Sequence, residues 1–444
     1  MASPKDSYNQ VKKFIEYNID FNNINLLALS QIYVFELAQK RLDAKGVLNK
    51  LKKYSVDNYV KAILAFFSKD PNKSANSKYL FVNDVNNNSM IENMRAVQKK
   101  FDEDFIELIT DKRLVNKKSK FIFKNFNFLR FARQIFNFGK FVKSNSKTLS
   151  DVSKVFKIKK SLLIYNVWDS FFVLNCVEGF LNAHREIDHI ILNSDVHKVS
   201  RAIVLLARNR NIKTYVIQHG STVLEYGYLP VISDYIFTWG RLSNNWFLER
   251  GTNENKLITT GTPKMDSIKK YKIHKDAIKK VKNILLILNP IGEKNVRDFI
   301  RIVKEANLDT NYNLVIKLHP GSTDNRNIVE EFFKNYDNKI YKKENTHKLI
   351  YDSDVVITTT STVGNETIAF YKPLVQVKIA NTEPSLDYEK FNCSHVVQDA
   401  KELENLIVNV DRLESKKANY QQFISDYFYS LDGKSAERIR KFIA

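Results

Sequence analysis

Cysteine is nearly missing from this chain. Cys176 and Cys393, far apart in 444 residues, form neither a disulfide framework nor a metal-ligand spacing. A reducing, cytoplasmic setting is the expectation that follows. Glycine (12) and proline (8) are sparse, which argues against low-complexity linkers. No uninterrupted apolar run approaches the ~20 residues that a spanning helix needs. The opening residues, Met1 to Asp6, lead into no apolar run, so no secretory leader is expected. Together these absences predict a soluble protein, at most peripheral to a membrane.

Acidic residues are scarce in one place. From Asp111 to Lys160 there are 15 Lys and Arg against 2 Asp, and nine Phe, so most of the net charge of +21 comes from about a ninth of the chain. Phe128, Phe131, Ile135, Phe138 and Val142 recur at helical spacing with Lys and Arg between them. Such a segment suits an interfacial helix on anionic lipid, or equally a core-packed helix with a solvated basic face. Nucleic acid is not the expected partner.

The length predicts two or three domains, and 43% hydrophobic residues suffice for sizeable cores. Residues 1–75 read as a helical extension that ends at Pro71 and the polar run Asn72 to Ser77. Strand and helix patterns then alternate. Apolar runs at Tyr79 to Val82, Ile187 to Leu192, Thr214 to Ile217 and Tyr235 to Thr238 predict strands. After Thr260-Gly261-Thr262-Pro263 the rhythm restarts with Ile284 to Leu288, Leu314 to Leu318, Val355 to Thr359 and Leu374 to Val377. Ala418 to Phe442 reads as helical. The chain therefore divides into the extension, an α/β domain at 76–264 with a basic-aromatic insertion at 111–160, and an α/β domain at 265–444. In doubly wound sheets ligands sit beyond the carboxyl ends of the strands, and the polar clusters of this chain all follow strands directly.

Val355 to Thr358 runs into Thr360-Ser361-Thr362 and a helix. Those hydroxyls suit a phosphate at the helix start, or simple N-capping. Glu366, one turn further, can accept from ribose hydroxyls or stand as a solvated helix glutamate. His319-Pro320 follows Leu314 to Leu318 and projects an imidazole at the strand end. In the first half, Gln218-His219-Gly220 follows Thr214 to Ile217, and His219 is a candidate general base. Glu225 and Asp195 are alternative bases. His184, His189 and His197 have no common metal-ligand spacing, and no metal or other cofactor is expected.

His319-Pro320, Ser353 to Thr358, Ser361-Thr362 and the run Glu366-Thr367-Ile368-Ala369-Phe370-Tyr371-Lys372-Pro373 resemble the C-terminal half of bacterial surface-polysaccharide GT-B transferases. The similar families are CDP-glycerol glycerophosphotransferases, capsule Kdo transferases and bacterial sialyl- and polysialyltransferases. The resemblance covers about residues 187–377. It implies a GT-B fold, two facing Rossmann-like domains, and transfer of a sugar or polyol phosphate from a CMP-, CDP- or UDP-linked donor to a polysaccharide or lipid-linked acceptor. It also implies that His319, Ser361 and Thr362 hold the donor phosphates and that the run opened by Glu366 reaches the nucleoside; Thr360 is a further candidate for the phosphates, and Asn289 and Pro290 for the nucleoside. Gln218, His219, Gly220, Glu225 and Asp195 fall on the acceptor side. The D/E-D/E-G motif of the sialyltransferases has no clear copy here. UDP-sugar 2-epimerases share the architecture but carry Ser-Gly-Gly where this chain has Thr360-Ser361-Thr362. A non-catalytic glycan- or membrane-binding protein of the same fold is the remaining alternative.

Overall fold

The computed structural model describes residues 4–32, 34, 77–84, 88–102, 104–110, 119–319, 325–333, 339–380, 382 and 386–444. Pro320, residues 111–118 of the basic segment and most of the expected N-terminal extension lie outside them. The chain divides into two compact units. One comprises Met1–Trp239, Ser243–Lys264 and Lys434–Ala444, the other Gly240–Leu242 and Met265–Gly433.

The first unit is built on a parallel sheet of β1 (Tyr79–Asn83), β2 (Ile106–Ile109), β3 (Ser119–Phe121), β4 (His189–Leu192), β5 (Lys213–Ile217), β6 (Tyr235–Thr238) and β7 (Leu257–Thr259). Its strand order is β3-β2-β1-β4-β5-β6-β7. The central strands β1 and β2 are buried at every position, as expected of a sheet covered on both faces. The N-terminal helix α1 (Pro4–Glu16) is no separate extension. Its Val11 and Phe14 are fully buried in the same core as β1, and Phe14 meets Phe156 edge-on at 5.3 Å.

Further helices of this unit are α2 (Asn88–Gln98), α3 (Phe128–Ser144), α4 (Ser146–Phe156), α5 (Lys160–Ala183) and α6 (Lys198–Arg208). α5 is apolar almost all round and is therefore buried rather than surface-lying. Its one buried carboxylate, Asp169, is paired with Lys198 at 2.5 Å, which keeps both charges compensated inside the core. Among the described residues no helix is long and apolar enough to cross a membrane.

The second unit repeats the plan with β8 (Asn283–Ile287), β9 (Asn313–Lys317), β10 (Ile340–Tyr341), β11 (Val355–Thr358), β12 (Leu374–Val377) and β13 (His395–Val397), in the order β10-β9-β8-β11-β12-β13. Numbered within each unit, both sheets begin 3-2-1-4-5-6, the doubly wound order with a reversal between strands 1 and 4. Asp354 shows how the register is held: its carboxylate accepts from the backbone N–H groups of Lys282 and Asn283, both at 2.8 Å. The Asp352-Ser353-Asp354 run is thus turn chemistry rather than a metal motif.

The helix expected over Ala418 to Phe442 is two helices, Tyr420–Phe428 and Ser435–Ile443. Tyr429 (φ 61°) and Gly433 (φ 68°) interrupt it in left-handed backbone that an α-helix cannot contain. The second of the two helices belongs to the first unit, where Ala436, Ile439 and Ile443 join the core with Phe81, Tyr215 and Phe237.

Candidate functional site

In the second unit, β9, β8 and β11 are adjacent and parallel, so their carboxyl ends lie side by side. These ends carry His319, Asn289 and the run Thr358 to Ser361. The Asn289 amide donates to Thr360 Oγ1 at 3.0 Å, and Thr358 Oγ1 donates to the Ile287 carbonyl at 2.9 Å. Both bonds cross between β8 and β11, where the chain order reverses. Gln376 on β12 donates to the Thr359 carbonyl at 3.0 Å and extends the brace to the next strand.

Two hydroxyls in this turn each have one lone pair engaged. Thr360 accepts from Asn289, and Ser361 Oγ accepts from the Val363 N–H at 3.2 Å. A hydroxyl that accepts in this way keeps its own O–H to give, so both are set up as donors. Thr359 Oγ1 is buried and has no partner among the described residues. The half-buried Thr360 and Ser361 and the exposed Thr362 line the mouth of the turn. His319 is exposed at the end of β9, with its pKa lowered by partial burial and by the Lys317 charge, so it is neutral near pH 7. A neutral imidazole donates one hydrogen bond and adds no charge.

The helix after the turn, Gly364–Ala369, is only six residues long. Its dipole is short, and the hydroxyls are the donors this turn has to offer. Gly364 is there for packing: a Cβ would come within 2.6 Å of the fully buried Tyr388 ring. Glu366 sits half-buried in the first turn, close enough to Tyr388 to raise its pKa, after burial and Tyr427. Pro290 is exposed directly beyond Asn289.

The first unit has its own brace at the equivalent place. The Asn193 amide after β4 donates to Asn83 Oδ1 at the end of β1, at 2.7 Å, and Asn83 in turn donates to buried Glu107 on β2. His219 follows β5 and stacks on Tyr228, with centroids 4.5 Å apart and planes 10° from parallel. The Tyr228 hydroxyl donates to the Gly220 carbonyl at 2.7 Å, fixing the loop that carries the imidazole. Burial first, then the nearby His197, push the His219 pKa down to about 4, against a smaller upward pull from the Asn193 backbone. At neutral pH His219 is uncharged. It can accept a proton but cannot serve as a cationic anchor for phosphate.

Three acceptor-side expectations are corrected. Gln218 is fully buried: its amide nitrogen donates to the Gly220 carbonyl (2.9 Å) and Ser243 (3.0 Å), and its oxygen accepts from Trp239 N (2.9 Å). Asp195, 2% exposed, clasps the N–H groups of Ile232 and Ser233, both at 2.8 Å. Glu225, equally buried, pairs with Arg250 at 2.9 Å. All three are braces, with no open face toward a substrate. His184, His189 and His197 are scattered: His184 meets Glu186, His189 stacks between Tyr79 and Tyr215, and His197 stands at the N-cap position of α6 without a side-chain capping bond. The Asn83–Asn193 brace and Tyr228 were not singled out from the sequence. The turn letters Asn83-Asp84 and Asn193-Ser194-Asp195 were the only signal for the first, and nothing local marks the second.

Residues 228–444 are similar to the UDP-N-acetylglucosamine 2-epimerase family. A search of curated proteins gave no match. Among solved structures, UDP-GlcNAc 2-epimerase from Neisseria meningitidis bound to UDP-GlcNAc is 15% identical, covers 82% of this chain and 99% of its own, and superposes with a TM-score of 0.50. The S. aureus MnaA–UDP structure is 14% identical over 83% of this chain and 96% of its own, also at 0.50. The wall teichoic acid polymerase TagF is 14% identical over 89% and 96%, but its TM-score of 0.49 is too low to bear on this chain. At these identities the likeness is one of fold. Two Rossmann-like parallel-sheet units in succession, matched over four-fifths of the chain, give this protein a GT-B fold.

Proposed function

We propose that this protein is a nucleotide-sugar-dependent GT-B transferase that seats the donor's phosphates at the strand ends of its second unit. The observation that carries the reading is the Asn289–Thr360 brace with Ser361, which holds two hydroxyls as donors at the end of β11, with the exposed His319 at the end of β9, on the other side of β8. Thr360, Ser361 and Thr362 bind the phosphates. His319 donates to the leaving diphosphate as its charge develops, the kind of contact worth about 2–4 kcal/mol in a preorganised site. Glu366, Asn289 and Pro290 take the nucleoside. His219, neutral and held by Tyr228, is the general base toward the acceptor hydroxyl. The acceptor is a surface glycan or lipid-linked saccharide.

A second reading, a UDP-sugar 2-epimerase, draws support from the family match over 228–444 and from two fold neighbours whose structures contain UDP or UDP-GlcNAc. One experiment separates them. The protein is first screened by thermal shift against CMP, CDP, UDP and GDP, and the matching nucleotide-activated donor is then incubated with and without glycan acceptor. A transferase releases nucleotide in step with acceptor extension. Conversion of UDP-GlcNAc to its 2-epimer or its cleavage products without acceptor overturns the transferase reading. Failure of every nucleotide to stabilise the wild type overturns both and leaves a non-catalytic protein of the same fold.

A further inference from the structure

α3 has eight large apolar side chains and yet no fully buried residue. Phe131, Phe138, Phe141 and Val142 pack toward the core, with Phe131 and Phe138 against Trp168 and Phe141 against Phe171 of α5. At about 100° per residue, Leu129 and Phe136 lie on the opposite side, one above the other. They are 80% and 82% exposed. Arg133, Lys140 and Lys143 are exposed on the same outward side, and the helix has no Asp or Glu. Much of the Phe stripe read from the sequence is therefore core packing. The outward face is a different set, with two apolar tips inside a basic collar.

We propose that this outward face of α3 docks on an anionic lipid bilayer, with Leu129 and Phe136 in the acyl boundary and Arg133, Lys140 and Lys143 at the headgroups. The helix, 17 residues long, lies along the surface rather than through it. Large apolar side chains at the centre of a solvent face are disfavoured in water unless something covers them. The charge selects what does: a wholly basic collar in a segment with 15 Lys and Arg against 2 Asp complements anionic headgroups. An Asn127 cap on Arg130 N (2.9 Å) closes the start of the helix, and the Asn127 N–H bond to Asn175 (2.8 Å) and the Arg130–Glu178 pair (2.7 Å) tie it to α5, so the face is presented ready-formed. This surface stands independently of the transferase reading, since none of its residues belongs to the strand-end site.

The test is vesicle flotation of the full chain with phosphatidylcholine alone and with phosphatidylcholine containing phosphatidylglycerol. Wild type should partition onto the anionic vesicles and be released by salt. Leu129→Ser with Phe136→Ser should lower the partition coefficient roughly tenfold or more per side chain. Arg133→Gln, Lys140→Gln and Lys143→Gln should each lower it by about fivefold. An unchanged melting temperature shows that the variants keep their fold, as expected for exposed positions. Equal wild-type binding to neutral and anionic vesicles overturns the proposal, and so does wild-type flotation by the Leu129→Ser/Phe136→Ser protein. If that pair instead dissociates a wild-type dimer in light scattering while flotation is untouched, the face is covered by a second copy and the lipid assignment falls.

Discussion

Asn289 donates its side-chain amide to the Thr360 hydroxyl at 3.0 Å, joining the ends of β8 and β11 where the strand order of the second sheet reverses. Replacing Asn289 with Ala removes the donor and frees the hydroxyl to turn. The loss in stability should be modest, about 1 kcal/mol for one hydrogen bond. The loss in nucleotide affinity should be larger, about tenfold or more, and a thermal-shift titration measures both. Equal nucleotide affinity in Asn289→Ala and wild type would show that the brace has no part in binding.

His319→Ala should cut donor turnover by about a hundredfold or more while leaving the melting temperature within a degree or two, since the side chain is exposed. Release of nucleotide from the donor identified by thermal shift is the measurement. Retention of wild-type turnover removes His319 from the mechanism.

His219 gives a pH signature. Its folded pKa, about 4, lies below the ~6.5 of an unfolded histidine, so the unfolded chain binds the proton more readily. The stability this site contributes is complete above pH ~6.5 and is lost as the pH falls toward 4. Relative to His219→Phe, which keeps the ring on Tyr228, wild type should lose up to about 3 kcal/mol across that window. Urea midpoints at stepped pH read it directly. Parallel curves for the two proteins would mean that the site is not shielded from water.

Gln218→Leu should act on stability rather than on chemistry. It leaves Trp239 N and Ser243 without their partners inside the unit, at a cost of about 2–4 kcal/mol. Denaturant unfolding of the variant beside its nucleotide-binding curve separates the two effects. Loss of acceptor reactivity at full stability would restore Gln218 to the acceptor side.

Gly364→Ala is a packing test at the edge of the turn that follows β11. The new methyl meets the Tyr388 ring at 2.6 Å and Leu374 at 2.9 Å, contacts that neither buried neighbour can relieve cheaply. A destabilisation of about 1–3 kcal/mol is expected, read as a lowered melting temperature.

Much of this architecture was legible in the chain because parallel strands covered on both faces read as unbroken apolar runs. Tyr235 to Thr238 and Leu374 to Val377 were bounded to the residue, and the strand ends carrying His219, His319 and Thr360 came out adjacent to their strands. Short edge strands such as Ser119–Phe121 and Ile340–Tyr341 left no pattern, since two or three residues cannot show a period. Strand-end position alone could not separate ligand groups from braces. Asp195, Glu225 and Gln218 have the letters of a site, and their burial against groups far along the chain (backbone N–H groups for Asp195 and Gln218, the Arg250 side chain for Glu225) decides their role. The inward and outward faces of α3 could not be told apart for a related reason: a stripe of Phe has the same period whether it turns inward or outward.

The return of Ser435–Ile443 to the first unit has a bearing on synthesis. Chains emerging from the ribosome ordinarily finish their N-terminal domain first. Here the first sheet lacks Ala436, Ile439 and Ile443 until the stretch after Gly433 has been made. The second unit, by contrast, is complete at Gly433. Order of completion is therefore reversed relative to order of translation, and a nascent chain keeps the apolar surface over Tyr215 and Phe237 open until Ser435–Ile443 reaches it.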